Sequence, residues 1–137
     1  MAEVETESSG VGTFAFVDGS RYEGEWASFE GGVRERHGRG TLQDGPEKYE
    51  GEWEHDAMSG EGTYSFASGA KYVGAMAANA FHGTGTYSFA DGAVYVGSWR
   101  EGRMHGQGRY TDSEGVEWEG QFFNGKYNNG RAFVCLR

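Results

Sequence analysis

Fifteen residues of this chain are written almost twice, GTYSFASGAKYVGAM from Gly62 to Met76 and GTYSFADGAVYVGSW from Gly85 to Trp99, at an offset of 23. A period of that length marks a small supersecondary unit that cannot bury its own apolar face and must stack on copies of itself. The rest of the sequence keeps the period. YEGEW at Tyr22, YEGEW at Tyr49, YVGAM at Tyr72, YVGSW at Tyr95 and WEGQF at Trp118 stand 27, 23, 23 and 23 residues apart. A Gly-x-Gly precedes each one and opens a short strand-like run, at Gly10, Gly38, Gly60, Gly83 and Gly106. Between the two runs lies a turn signal: Asp18-Gly19, Asp44-Gly45, Ser68-Gly69, Asp91-Gly92 and Glu114-Gly115. Each unit therefore reads as a β-hairpin, and the array as five of them.

Loop length follows from where the rings must point. Alternation places Tyr87 and Phe89 on one face of the first strand, and Tyr95, Gly97 and Trp99 on one face of the second. A two-residue loop would separate these sets. A three-residue loop, Ala90 to Gly92 with Gly92 left-handed, pairs Tyr87 with Tyr95 and Gly85 with Gly97 and gathers all the aromatics on one face. The mid-strand glycines Gly24, Gly51, Gly74, Gly97 and Gly120 are then expected to leave room beneath neighbouring rings and to let the sheet curve. The expected fold is all-β: an elongated, single-layer antiparallel sheet of stacked hairpins, curved around an aromatic trough.

Glycine contributes 25 residues, which suits a disordered chain, but Phe 9, Tyr 8 and Trp 4 at fixed spacing do not. The net charge of −9 opposes a nucleic-acid partner and disfavours an anionic membrane surface, because both need clustered Lys and Arg. Cys135 is the single cysteine, so no intrachain disulfide forms, and a reducing compartment is expected. No apolar run approaches membrane-spanning length.

The pattern Tyr-Glu-Gly-Glu-Trp, a short loop, His-Gly-x-Gly and then Asp-Gly closely resembles the MORN repeat (membrane occupation and recognition nexus), over residues 10 to 131. The resemblance implies a twisted sheet of hairpins with a groove that binds proteins or sometimes lipids. It also places similar arrays in radial spokes of cilia, in junctional membrane proteins and as appendages to lipid kinases and methyltransferases. No catalytic segment of that kind fits in 137 residues. The chain divides into a disordered or loosely attached segment 1–9, the array 10–131 and a cap or docking strand 132–137, with sheet ends that offer a route to oligomers. The insertion ASFEGGVRERH is expected to form a protruding loop at Phe29 to Arg36.

Chemical motifs are weak. GQFFNGKY has the glycine–lysine spacing of a phosphate loop, yet Tyr127 stands where Ser or Thr should hold magnesium. His37, His82 and His105 repeat at hairpin spacing, about 9 to 10 Å, too far apart to share one zinc. No catalytic residue, metal site or cofactor is assigned. The expected function is a non-enzymatic scaffold, cytoplasmic and in a ciliary or cytoskeletal assembly, that holds a helical or extended segment of a partner protein; a phosphoinositide or membrane tether is the alternative. The expected contact residues are Tyr22, Trp26, Tyr49, Trp53, Tyr64, Phe66, Tyr72, Met76, Tyr87, Phe89, Tyr95, Trp99 and Trp118.

Overall fold

The computed structural model describes residues 8–137. Its strands are β1 (Ser8–Ala15), β2 (Arg21–Ser28), β3 (Arg34–Asp44), β4 (Glu47–Glu54), β5 (Ala57–Ser65), β6 (Lys71–Ala77), β7 (Ala80–Ser88), β8 (Val94–Arg100), β9 (Arg103–Thr111), β10 (Glu117–Phe123), β11 (Lys126–Asn128) and β12 (Phe133–Val134). They form one antiparallel sheet in the order of the sequence, so that every strand pairs with its chain neighbours and nothing crosses over. The expected hairpins are β1–β2 through β9–β10, with β11 and β12 extending the sheet at one end. Residues 1–7 of the expected N-terminal segment lie outside the described residues, while Ser8 and Ser9 already pair with Ser28 and Ala27.

Four of the five hairpins close with a three-residue loop, while β3–β4 turns in two residues, Gly45-Pro46. Within a hairpin, Phe89 N–H donates to the Ala93 carbonyl (2.8 Å) and Gly92 N–H to the Phe89 carbonyl (3.0 Å), closing the three-residue loop Ala90 to Gly92. Gly92 has a φ of +95°, which only glycine adopts cheaply, and Tyr87 faces Tyr95 as Gly85 faces Gly97. Between hairpins the chain turns in two residues, both with positive φ: His55-Asp56, Ala78-Asn79, Glu101-Gly102 and Asn124-Gly125. That geometry matches the right-handed twist of the strands it joins. These turns also tie hairpins together: Asn79 N–H donates to the Met58 carbonyl (3.0 Å), and Met58 N–H donates to Asn79 Oδ1 (2.8 Å).

Each link between hairpins contains a bulge. Gly74 faces Gly85 and Met76 faces Phe81, so Ala75 alone stands opposite His82, Gly83 and Thr84. The same slip recurs between Gly24 and Trp26, Gly51 and Trp53, and Gly97 and Trp99, always against the His-Gly-x or Ser-Gly-x stretch. The residue that the ladder skips keeps its carbonyl satisfied through the tyrosine three positions earlier. Tyr49 Oη donates to Glu52 O (2.9 Å), Tyr72 Oη to Ala75 O (2.7 Å) and Tyr95 Oη to Ser98 O (2.8 Å).

The tyrosine rings fill the sheet. Tyr22, Tyr49, Tyr72 and Tyr95 are buried to within 1 % of completely, although only one layer of sheet exists. Each lies over the glycine of the following hairpin: a Cβ built on Gly40, Gly62, Gly85 or Gly108 would fall on the ring of Tyr22, Tyr49, Tyr72 or Tyr95. Gly24, Gly51, Gly74 and Gly97 leave the expected room for the rings, since a Cβ on Gly97 would stand 2.9 Å from Tyr95 Oη, and they serve close backbone approach as well, with Gly108 Cα at 2.5 Å and Gln107 O at 2.6 Å from that Cβ. Gly120 departs from both patterns, with only ordinary contact, 3.5 Å, to Tyr127.

The expectation of a protruding insertion after β2 needs correcting. The chain turns over Glu30 and Gly31, and β3 begins at Arg34. Phe29 is buried against His37 and His55, at ring-centroid distances of 5.0 and 4.4 Å. The segment folds back onto the sheet instead of protruding along its whole length.

Candidate partner-binding trough

The aromatic face is built from alternating wedges. Trp53 stands edge-on between Tyr22 (5.4 Å) and Tyr49 (5.3 Å), and Trp99 between Tyr72 (5.5 Å) and Tyr95 (5.2 Å). Both indoles donate to a backbone carbonyl on the first strand of their own hairpin, Trp53 Nε1 to Gly40 O and Trp99 Nε1 to Gly85 O, each at 3.1 Å. Met76 takes the corresponding place in the third hairpin and is equally buried. These residues are the core of the protein. Tyr22, Tyr49, Trp53, Tyr72, Met76, Tyr95 and Trp99, all expected as contact residues, are buried, with Trp99, 7 % exposed, still lining the cavity described below. A single layer hides them because glycine rows let the rings lie flat against the next hairpin.

Half-buried rings remain reachable: Tyr64, Phe66, Tyr87 and Phe89 of the expected set, together with Trp26 and Trp118. Tyr64 is partly engaged, its hydroxyl donating to Glu47 Oε1 at 2.9 Å. Burial pushes its hydroxyl pKa up to about 12, with the Glu47 carboxylate adding to the effect. Phe66 and Tyr87 lie 5.7 Å apart, and Tyr87 and Phe89 4.5 Å apart, forming a continuous aromatic row. Beside it opens an apolar cavity of about 320 Å³ lined by Phe66, Phe81, Tyr87, Phe89, Trp99 and Met104, with the Gly102-Arg103 turn and Gly125 at its rim.

Phe81 and Met104 escaped the sequence reading. Both stand just before a His-Gly, outside the strand-like runs that the sequence opens at Gly83 and Gly106, whereas β7 and β9 begin at Ala80 and Arg103. Their pairing shows the true face: Phe81 opposes Met76, and Met104 opposes Trp99. Phe81 also stacks flat on Tyr72, at 3.9 Å and 11°.

Arginines cover the trough outside this open stretch. Arg34 lies 4.0 Å over the Trp26 ring. Arg36 lies 4.4 Å over Trp53 and 5.2 Å from Phe16, and its Nε donates to Asp56 Oδ1 at 2.7 Å. At the far end Arg137 lies 3.7 Å over Phe89, with Nη1 3.0 Å from Asp91 Oδ2 and 3.1 Å from Tyr110 Oη. Leu136 beside it packs against the same core. Of the expected segment 132–137, Phe133 and Val134 are therefore in β12, and the last two residues reach across the aromatic face.

The opposite face is acidic in the first two hairpins and carries exposed Val73 and Val96 in the third and fourth. Glu25 and Glu52 use their carboxylates to accept a bulge N–H, from Arg39 and Glu61 respectively. Ala75 and Ser98 occupy those positions in the third and fourth hairpins. Among the described residues no group of three or more His, Cys, Asp or Glu converges on a point, and no helix is long and apolar enough to cross a membrane. His37 and His55 approach one another, but the His55 backbone N–H donates to His37 Nδ1 at 3.0 Å, so that nitrogen is already engaged.

Comparison with protein families agrees with this geometry. The MORN repeat family matches residues 7–21, 49–71, 72–94 and 95–116, more than half of the chain. The chain belongs to the MORN repeat family. MORN repeats are non-enzymatic modules that engage proteins and membranes. The stretch between the first two matches, residues 22–48, holds the insertion and the short Gly45-Pro46 turn, where this MORN array departs most from its own period. A comparison with curated proteins returned no significant match.

Proposed function

We propose that this MORN array is a protein-interaction scaffold, and that it holds a segment of a partner protein in the open stretch of the trough between Phe66 and Met104. The observation that carries this reading is the apolar cavity of about 320 Å³, bordered by rings that the fold leaves half covered. Its volume is that of a small binding pocket, and its apolar lining suits large side chains of a segment laid along the face. The net charge of −9 favours a protein over an anionic lipid surface.

Affinity capture with the intact chain tests the proposal. Met104→Ser and Phe66→Ser, at half-buried positions, are expected to release the partners that the unmodified chain retains, with folding of each variant checked by circular dichroism. Glu50→Lys on the opposite face is expected to keep them. Loss with Glu50→Lys but not with Met104→Ser would assign binding to the acidic face, and co-sedimentation with anionic vesicles would assign it to a membrane.

A further inference from the structure

Arg137 occupies a seat of defined chemistry at the edge of the open trough. Its guanidinium carbon lies 3.7 Å from the centre of the Phe89 ring, and its Nη1 bonds Asp91 (3.0 Å) and Tyr110 (3.1 Å). Phe89 also lines the apolar cavity, so the seat and the cavity are continuous. The other end of the aromatic face uses the same solution, with Arg36 stacked on Trp53 and paired with Asp56, and Arg34 stacked on Trp26. Arg34, Arg36 and Arg137 each lie over an aromatic ring of this face, with Leu136 packed beside Arg137. A planar cation fits because the ring quadrupole attracts it while a carboxylate at the rim takes its N–H groups.

We infer that the protein segment held in the trough carries an arginine next to aliphatic residues, and that this arginine displaces Arg137 from Phe89 and Asp91 while the aliphatic side chains enter the cavity. The inference rests on the proposed scaffold function and names the chemistry of its partner. Several features favour that occupant. The chain's excess of acids attracts a basic segment. Leu136 and Arg137 show an aliphatic–arginine pair already lying on this face. The Arg137–Asp91 pair is solvent-accessible on both sides, with 36 % and 52 % of the side chains exposed, so it exchanges readily.

The test is a selection of short random peptides displayed on phage, run against the intact chain carrying Arg137→Ala. Enriched peptides are expected to place arginine at a constant distance from Leu, Ile, Met or Phe. A synthetic copy with citrulline for arginine should bind at least about tenfold more weakly, as should the arginine peptide to an additional Asp91→Asn variant. Asp91→Asn keeps an oxygen for the Ala93 N–H and so preserves the turn. The unmodified chain should bind the arginine peptide several-fold more weakly than Arg137→Ala, because Arg137 competes. Equal binding of arginine and citrulline peptides, both lost with Met104→Ser, would overturn this inference and leave the scaffold reading standing. Binding that ignores Met104→Ser and Phe66→Ser, or no enrichment at all, would overturn both.

Discussion

Tyr72 performs three tasks at once. Its ring covers Gly85 of the next hairpin, its edge meets Trp99, and its hydroxyl satisfies the Ala75 carbonyl that the bulge leaves without a ladder partner. Gly85→Ala places a methyl group where the ring lies and is expected to destabilise the protein by about 2 to 3 kcal/mol in urea unfolding, as overpacking does. Gly69 faces open space, so alanine there meets only the cost of a left-handed backbone, about 1 kcal/mol. A similar loss at both sites would show that the ring seat carries no special weight. Tyr72→Phe should cost about 1 to 2 kcal/mol by stranding a carbonyl, whereas Tyr87→Phe should be nearly neutral. The buried hydroxyls also set an alkaline limit. Burial pushes Tyr22, Tyr49, Tyr72 and Tyr95 up to about 12 from 10. The unfolded chain loses these protons first, so their contribution is intact below pH 10 and falls as pH rises towards 12. Absorbance equivalent to all eight tyrosinates before loss of the circular dichroism signal would contradict this.

At the scale of hairpin and turn, some features were legible and others not, for identifiable reasons. The Ala90–Gly92 loop and the Tyr87–Tyr95 pairing follow from the period-two rule, because nothing interrupts the strands between them. Before the Gly-x-Gly the strands run further than their sequence signal. Three residues oppose one at each bulge, which preserves the alternation, so Phe81 and Met104 share the face of Tyr87 and Tyr110; the sequence signal does not show that β7 and β9 already include them. The signal that was present is the Asn, Asp or Gly in His55-Asp56, Ala78-Asn79 and Asn124-Gly125, residues that tolerate positive φ and fix the tight turn. Burial was misjudged for a related reason: spacing shows that Tyr49 and Trp53 share a face, but not that a glycine row lets that face close over itself. The bulge also explains the glutamates of the first hairpins. Glu52→Ala frees the Glu61 N–H and should lower stability by about 1 kcal/mol. Conversely, Ala75→Glu supplies the missing acceptor to the third bulge and should raise the melting temperature, by an amount worth about 0.5 to 1 kcal/mol. A melting temperature unchanged by either substitution would mean that water satisfies the bulge equally well.

Among the described residues every strand pairs only with its neighbours in sequence, and side-chain contacts such as Tyr22–Trp53 and Tyr72–Trp99 reach one strand further, whereas Leu136 and Arg137 reach back to the core, Arg137 to Phe89 and Asp91. Deleting residues 132–137 should therefore uncover Phe89 and leave hydrogen-exchange protection in β1 to β6 unchanged. Loss of protection in those early strands would indicate a cooperativity that the neighbour-only topology does not explain. The seating of each tyrosine on a glycine of the following hairpin has one more consequence. Tyr22 waits for Gly40, Tyr49 for Gly62, Tyr72 for Gly85 and Tyr95 for Gly108, so a hairpin finishes its own interior only when its successor exists. On a ribosome the successor is always the next piece to emerge, and the order of synthesis is also the order in which unfinished rings are covered.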